Sequence, residues 1–188
     1  MRKYAIAAVL VSLPLLASGV TVEGNSYPKT VTIEGKQLKL IGAGLREKYW
    51  FDVYTMGAYS ESGKCATSAI INTDEVKYLR LDMLRDVEAE KMVSSIDESF
   101  GNNMPKNASA ELKKQRKTFA SYFKTECKEK TVIEFTYVPG TGVIMKQNGK
   151  KLGPPLTGQA FMKVFWSLYF SKNTCCDDLK EQILKHCK

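Results

Sequence analysis

The sequence predicts an α+β fold in which helices are layered on a large antiparallel sheet. Apolar and polar residues alternate in the first part of the chain and again after residue 131, whereas apolar residues elsewhere recur every three or four positions. Runs of strands followed by runs of helices favour an antiparallel sheet over a parallel one. No repeat, linker or low-complexity tract divides the 188 residues, so we expect one globular domain.

The individual elements follow from the spacing of the apolar side chains. Between Thr30 and Ser60 the alternation, with a turn at Gly35, predicts two or three strands. Asp86 can cap a helix, and Thr157 can cap a later one that is apolar on nearly every side. In chain order, the other predictions are a short helix over 66–71, a strand over 76–84, helices over 86–101 and about 109–124, strands over 131–138 and 143–146, a hairpin turn at Asn148-Gly149, and a closing helix over 177–187.

Residues 1–19 have the pattern of a secretory signal peptide. A basic start precedes an apolar run from Tyr4 to Leu16, and three small residues follow at 17–19. The run contains Pro14 and is shorter than the roughly 20 residues that span a bilayer, which favours a signal peptide over a membrane anchor. We therefore expect an exported protein, periplasmic or secreted, whose mature domain covers residues 20–188 and has no integral membrane segment.

The charge of the mature chain is modestly basic, with 26 basic and 20 acidic side chains after residues 1–19 are removed. Four of the basic residues cluster over 113–117 on a predicted helix, without a recognisable nucleic-acid-binding module around them. A solvated helix face explains this cluster better than a nucleic-acid partner does.

The sequence has five cysteines, at positions 65, 127, 175, 176 and 187. In an exported protein an odd count leaves at least one thiol free or bonded to another chain; one or two disulfides are expected, and their pairing stays open. His186 is the only histidine and no Cys-x-x-Cys spacing occurs, so neither a zinc site nor a Ser-His or Cys-His catalytic centre is expected. We predict no metal and no cofactor.

The segment from Gly42 to Arg46 is the most informative candidate for function. It reads Gly-Ala-Gly-Leu-Arg, lacks the third glycine of a dinucleotide-binding fingerprint and lies in a predicted strand. Arg46 can be a solvent-exposed arginine at a sheet edge, or a guanidinium at the floor of an apolar cleft that binds a carboxylate or phenolate with two hydrogen bonds.

Several motifs, in their order and spacing, resemble the chalcone isomerase-like family. They are Gly-x-Gly-x-Arg over 42–46, Tyr-x-x-Gly-x-Tyr over 54–59, "LRDV" before a helix, "YVPGTGV", "NGKKLGPPLTG" and the aromatic "FMKVFW". The likeness covers roughly residues 30–184. It implies an open-faced β-sandwich, in a family that includes plant enzymes closing chalcones to flavanones, fatty-acid-binding relatives and exported bacterial proteins.

The resemblance places Arg46 on the family arginine that holds an anionic ligand group. Tyr54 stands where the enzymes have a threonine, as in the fatty-acid-binding branch. Met92 and Ser99 stand where the enzymes have a tyrosine and an asparagine on the helix after "LRDV". Two hydrogen-bond donors for the ketone oxygen are thus missing, and one such donor is typically worth about 3 to 4 kcal/mol of barrier, which argues against efficient ring closure.

These observations lead to one main hypothesis and two alternatives. The main hypothesis is non-catalytic binding of a small amphipathic anion, such as a fatty acid, whose carboxylate is held by Arg46 and Tyr54. The alternatives are an isomerase or intramolecular lyase acting on another substrate, and an envelope interaction protein whose cleft is filled by its own side chains. The oligomeric state stays open. Candidate wall residues are Met92, Ile96, Phe161, Phe165 and Leu168, although apolar residues at helical spacing are more often plain core.

Overall fold

The computed structural model describes residues 19–187 and has a seven-stranded antiparallel sheet at its centre. The order of strands in the sheet follows their order in the chain, so that each strand pairs with the next. A separate two-stranded hairpin, β1 and β2, precedes it. The strands are β1 Val20–Val22, β2 Asn25–Tyr27, β3 Thr30–Ile33, β4 Lys36–Lys48, β5 Phe51–Ser60, β6 Lys77–Met83, β7 Val132–Val138, β8 Gly142–Gln147 and β9 Lys150–Lys151.

Five helices are found over residues 19–187, and they complete the predicted α+β class. The long insertion between β6 and β7 forms two of them, and the last two follow β9. They are α1 Thr67–Asn72, α2 Ala89–Asn103, α3 Ala110–Ala120, α4 Gln159–Phe170 and α5 Asp177–His186. The predicted large antiparallel sheet layered with helices is therefore confirmed. The predicted signal peptide lies outside the described residues, except for Gly19 at its end.

The two predicted helix caps are wrong. The residue before α2 is Glu88, while the Asp86 carboxylate accepts a hydrogen bond from the Glu129 backbone N–H at 2.8 Å. Gly158 precedes α4, and the Thr157 carbonyl accepts from Gln115 Nε2 at 2.8 Å. Both predicted residues instead form contacts with segments distant in the chain, which a local capping pattern does not reveal.

The β1–β2 hairpin was not predicted, because its strands have only three residues each. It covers the face of the sheet opposite the helices through Tyr27, which belongs to a small buried cluster with Tyr59 and Tyr78. The Tyr27 hydroxyl donates to Asp82 Oδ2 at 2.8 Å and lies 2.6 Å from Thr55 Oγ1. Both faces of the sheet are thus covered, and the larger core lies on the helix side.

The larger core is aromatic where the helices meet the sheet. The ring centroids of Phe135 on β7 and Phe165 on α4 are 4.7 Å apart. Phe119 on α3 lies 5.2 Å from Phe165, and Phe161 packs between Phe100 and Phe119 at 5.7 and 6.0 Å. Contacts of this kind stabilise beyond the area that they bury.

The five cysteines, whose pairing the sequence left open, form two disulfide bonds and leave one free thiol. Cys65, after β5, bonds to Cys187, after α5, with 5.6 Å between their Cα atoms. The adjacent residues Cys175 and Cys176 form the second bond. Cys127 is free and buried.

None of the helices in the described part of the chain combines the length and the apolar composition that crossing a bilayer requires. Between residues 19 and 187, no group of three or more His, Cys, Asp or Glu side chains is arranged to hold a metal ion.

Candidate ligand-binding site

The Gly-x-Gly-x-Arg segment lies on β4, where alternate residues share one face of the strand. Gly42 and Gly44 face α5. A Cβ added at Gly42 would overlap the backbone carbonyl of Ile183, and one added at Gly44 would lie 2.8 Å from Gln182 Cβ. The Leu45 N–H also donates to Gln182 Oε1 at 2.9 Å. The glycines therefore let α5 pack directly on β4, and Arg46 continues on the same face, toward the helical layer.

A cavity of about 670 Å³ opens beyond this packing, between the sheet and helices α2 and α4. Its wall is mainly apolar, with polar and charged groups near Arg46 and around the loop after β6. The apolar wall includes Val53, Leu81, Ile133, Phe135, Phe119 and Phe123. A volume of this size falls in the range of small-molecule sites.

Six of the seven predicted site residues line this cavity. Arg46 and Tyr54 are cross-strand partners in the β4–β5 register, so their side chains lie side by side on the same face. The wall residues come from α2 and α4. The six are Arg46, Tyr54, Met92, Ile96, Phe165 and Leu168.

Phe161 is the exception, because it is fully buried in the core and does not line the cavity. It lies one turn before Phe165 on α4, and its ring stacks on those of Phe100 and Phe165. Helical spacing puts Phe161 and Phe165 on the same face of the helix, but the cavity begins only at the later turn.

The Arg46 guanidinium is half-buried and has no carboxylate partner among residues 19–187. Its Nη1 donates to the Glu47 backbone carbonyl at 2.7 Å. That single bond leaves most of its five N–H donors available. A guanidinium in this state can bind a carboxylate with two parallel hydrogen bonds.

Some of the other charged side chains around the cavity mouth form ion pairs, and others do not. Asp86 and Glu126 both bind Lys128, and Glu88 binds Lys91. Within the described chain, Lys48 and Arg85 form no ion pair and lie over aromatic rings instead. Glu98 on α2 also lines the cavity and forms no ion pair within residues 19–187, so the unpaired charges of the lining are Arg46, Lys48, Arg85 and Glu98.

Tyr54 and Tyr169 supply neutral hydrogen-bond donors next to Arg46. Burial raises the pKa of Tyr54 to about 12, against the lowering effects of the Arg46 charge and the Tyr169 hydroxyl. Burial and the neighbouring Tyr54 raise the pKa of Tyr169 well above its ordinary value, again opposed by Arg46. Both phenols therefore stay protonated at neutral pH. Since the hydrogen bond between them uses one hydroxyl hydrogen, the other can be donated to an anion beside Arg46.

The two positions where the resemblance implied missing donors also line the cavity. Met92 has no donor, and the Ser99 hydroxyl donates to the Ser95 carbonyl of its own helix at 2.8 Å. The cavity lining combines Arg46 and two tyrosines with a mainly apolar wall. This arrangement suits an amphipathic anion better than a ketone that must become an enolate.

Several lining residues were missed at the sequence level. Tyr169 lies four residues after Phe165 on α4, so helical spacing places it on the same face; this signal could have identified it. The β4–β5 turn adds Lys48, Tyr49 and Phe51. No local pattern indicated that this turn reaches the cavity mouth.

A second concavity lies between α2 and α3 and holds the Arg116 side chain. It is a wide surface groove, and Arg116 already binds Asp97 at 3.0 Å. Because this guanidinium is compensated, the groove is a weaker candidate for an anion site.

Comparisons with known proteins bear on the fold and the family. A solved structure of an Arabidopsis thaliana fatty-acid binding protein is similar, with a TM-score of 0.69 and 19% sequence identity over 87% of this chain and 93% of that one. At this identity the likeness shows the fold. No curated protein sequence matches the chain. A family model described as chalcone isomerase-like matches residues 19–185, and the chain therefore belongs to the chalcone isomerase-like family.

Proposed function

We propose that this protein is a non-catalytic binder of a fatty-acid-like anion, with the carboxylate at Arg46 and the alkyl chain in the cavity. The observation that carries the proposal is the half-buried Arg46 guanidinium, which lines a mainly apolar cavity and has no ion pair within the described residues 19–187. The similar plant structure is that of a fatty-acid binding protein, which supports the same ligand class.

The apolar wall and the polar end have different energetic roles. About ten buried methylenes contribute on the order of 8 kcal/mol of gross transfer free energy. A charged hydrogen bond contributes about 1.5 to 3 kcal/mol. The wall therefore sets the affinity, while Arg46, with Tyr54 beside it, sets the orientation and the preference for an acid.

The experiment compares dodecanoic acid with 1-dodecanol, which has the same chain but no charge. Isothermal titration measures both ligands against the wild type and Arg46→Met. Wild type should prefer the acid by roughly 10- to 100-fold, which corresponds to the charged hydrogen bond. In Arg46→Met the preference should disappear, while binding of the alcohol stays within a few-fold of wild type.

Arg116→Met is the matched control, because Arg116 is also a half-buried arginine of the helical side but lies in the other concavity. It should keep the preference for the acid. Wild-type protein that binds neither compound would overturn the proposal. An equal loss of acid and alcohol binding in Arg46→Met would show that Arg46 supports the fold rather than the carboxylate.

We also propose that the protein works after export. The apolar N-terminal run followed by small residues supports this. The Cys65–Cys187 bond supports it as well, because disulfides persist in oxidising compartments. Fractionation of cells, with mass measurement of the N-terminus, should find a chain that starts near Val20 outside the cytoplasm; an uncleaved chain in the cytoplasm would contradict this.

A further inference from the structure

The tip of the β4–β5 hairpin exposes three consecutive aromatic side chains. Tyr49 is 79% exposed, Trp50 97% and Phe51 57%, and they are the exposed large hydrophobic residues of the described chain. We call residues 49–51 the aromatic tip. Tyr49 and Phe51 also line the cavity mouth, whereas Trp50 does not. The tip therefore lies at the entrance of the proposed binding site and extends from there into solvent.

The backbone of the tip disfavours the residues that occupy it. Lys48 pairs with Phe51, so Tyr49 and Trp50 alone form the turn, with φ angles of 50° and 67°. Such a turn prefers Asn-Gly, because both residues are in the left-handed region. The same chain uses Asn148-Gly149, with φ angles of 49° and 76°, in the β8–β9 turn. Aromatic side chains at 49 and 50 thus serve neither the turn nor the core.

Two cations flank the tip on its cavity side. Lys48 Nζ lies 5.6 Å from the Tyr49 ring centroid, and the Arg85 guanidinium lies 4.3 Å from that of Phe51. Neither forms an ion pair within residues 19–187. The acidic neighbours Glu47 and Asp52 oppose each other in the register and are not part of the cavity lining. The cavity lining also contains the acidic residues Asp86, Glu88 and Glu126, which are paired with lysines, and Glu98 on α2. The edge of the mouth beside the tip is therefore aromatic and carries two cations that no carboxylate of residues 19–187 pairs with.

We propose that the aromatic tip inserts into the headgroup region of a bilayer that contains anionic lipid, which brings the cavity mouth to the membrane surface. Tyr and Trp are enriched at this depth because their rings are apolar and their O–H and N–H groups stay hydrated. Lys48 and Arg85 can then bind lipid phosphates, an interaction to which the positive net charge of the chain adds at longer range.

A protein partner fits the tip less well. Aromatic residues bury about 150 to 250 Å² each, so three of them supply less than the roughly 800 Å² per partner of a stable protein interface. The tip is also a projecting turn rather than a flat face. Docking on a membrane does not require that the cavity hold a fatty acid, so this inference and the proposed function can fail separately.

The two tryptophans of the chain make the test specific. Trp50 is almost fully exposed and Trp166 is 1% exposed in the core. Sedimentation with vesicles of phosphatidylcholine and phosphatidylglycerol measures binding, and quenching by brominated phosphatidylcholine in those vesicles measures insertion. Wild type should bind these vesicles and show quenched Trp50 emission. Vesicles of phosphatidylcholine alone should bind at least several-fold less.

Tyr49→Asn combined with Trp50→Gly removes the aromatic groups and restores the turn sequence that the chain already uses at 148–149. This variant should fold at least as well as wild type and bind the mixed vesicles at least tenfold less. Trp50→Ser is a second variant, which removes a single aromatic side chain of the tip and should also lower binding to the mixed vesicles. Lys48→Glu with Arg85→Glu should also lower binding, whereas the charge-matched pair Lys39→Glu and Lys64→Glu, near the opposite end of the hairpin, should lower it less.

Three results would overturn the inference. The first is wild type that stays in the supernatant with the mixed vesicles. The second is sedimentation that does not involve the tip, seen either as the absence of Trp50 quenching or as binding that persists in the Asn-Gly variant. The third is a wild type that is dimeric without lipid and an Asn-Gly variant that is monomeric, which would make the tip a contact between two copies of the chain.

Discussion

The Cys65–Cys187 bond provides the sharpest test of how this fold is held together. It joins residues 122 positions apart and links the end of α5 to the segment after β5. The chain-entropy relation for a loop of that length gives about 5 kcal/mol of stabilisation, while disulfides typically contribute about 2 to 4 kcal/mol. Replacing both cysteines with serine should therefore lower the free energy of unfolding by about 2 to 5 kcal/mol.

Urea unfolding monitored by circular dichroism measures this loss. With an m value of about 2 kcal/mol/M, the midpoint should fall by about 1 to 2.5 M. The m value itself should rise, because the uncrosslinked chain exposes more surface when it unfolds. Cys175→Ser with Cys176→Ser is the internal control. That bond joins adjacent residues, so the same relation gives only about 1 kcal/mol for its loss.

Equal losses of stability in the two double variants would refute this prediction, since loop length would then not govern the effect. An unchanged urea midpoint after loss of the long-range bond would refute it as well. The mass of the purified wild type, with and without thiol alkylation, establishes beforehand that one cysteine per chain reacts after denaturation.

Two further predictions concern particular residues. Gly42→Ala should lower the free energy of unfolding in urea by about 1 to 3 kcal/mol, because the new Cβ meets the Ile183 backbone. Gly101→Ala, on α2 with open space around it, should instead raise it by about 0.5 to 1 kcal/mol. Equal losses at both positions would contradict the packing argument. Lys77 is buried, its Nζ donates to the Ile70 carbonyl at 2.7 Å, and burial lowers its pKa to about 8. Above about pH 8 the folded chain loses the Lys77 proton while the unfolded chain keeps it, so the free energy of unfolding should rise with pH. Between about pH 8 and pH 10 the rise should be about 2 kcal/mol larger than in Lys77→Met. Parallel pH profiles of the two proteins would refute this.

Much of the fold was predictable because its signals are local or periodic. Alternation over 30–60 predicted the strands that became β3, β4 and β5, and helical spacing predicted α2 to α5. Asn148-Gly149 was identified as a turn because both residues tolerate positive φ. The turn at Tyr49 and Trp50 has the same kind of backbone without those residues, so its position could not be identified from turn chemistry.

The candidate site was predictable in part. The order of motifs singled out Arg46 and Tyr54, and the register of β4 and β5 places them side by side. Periodicity placed Phe161 and Phe165 on the same face of α4, but it could not show that Phe165 lines the cavity while Phe161, one turn earlier, is buried in the core. Whether a given turn of a helix lines a cavity or is buried in the core depends on which other segments pack against that turn. The local sequence of the helix does not specify those segments.

The sequence by itself determined the fold class and the order of most elements, and it supplied the candidate residues of the proposed anion site, since these depend on residue type and spacing along one strand or helix. Only the tertiary structure decided which cysteines bond and that Gly42 and Gly44 leave no room for a Cβ against α5. It alone also showed that Arg46 lies beside an open cavity and has no ion pair in the described part of the chain. These properties depend on α5 packing on β4, and on the space left between α2, α4 and the sheet. They arise from contacts between segments far apart in the chain, where local preference has no influence.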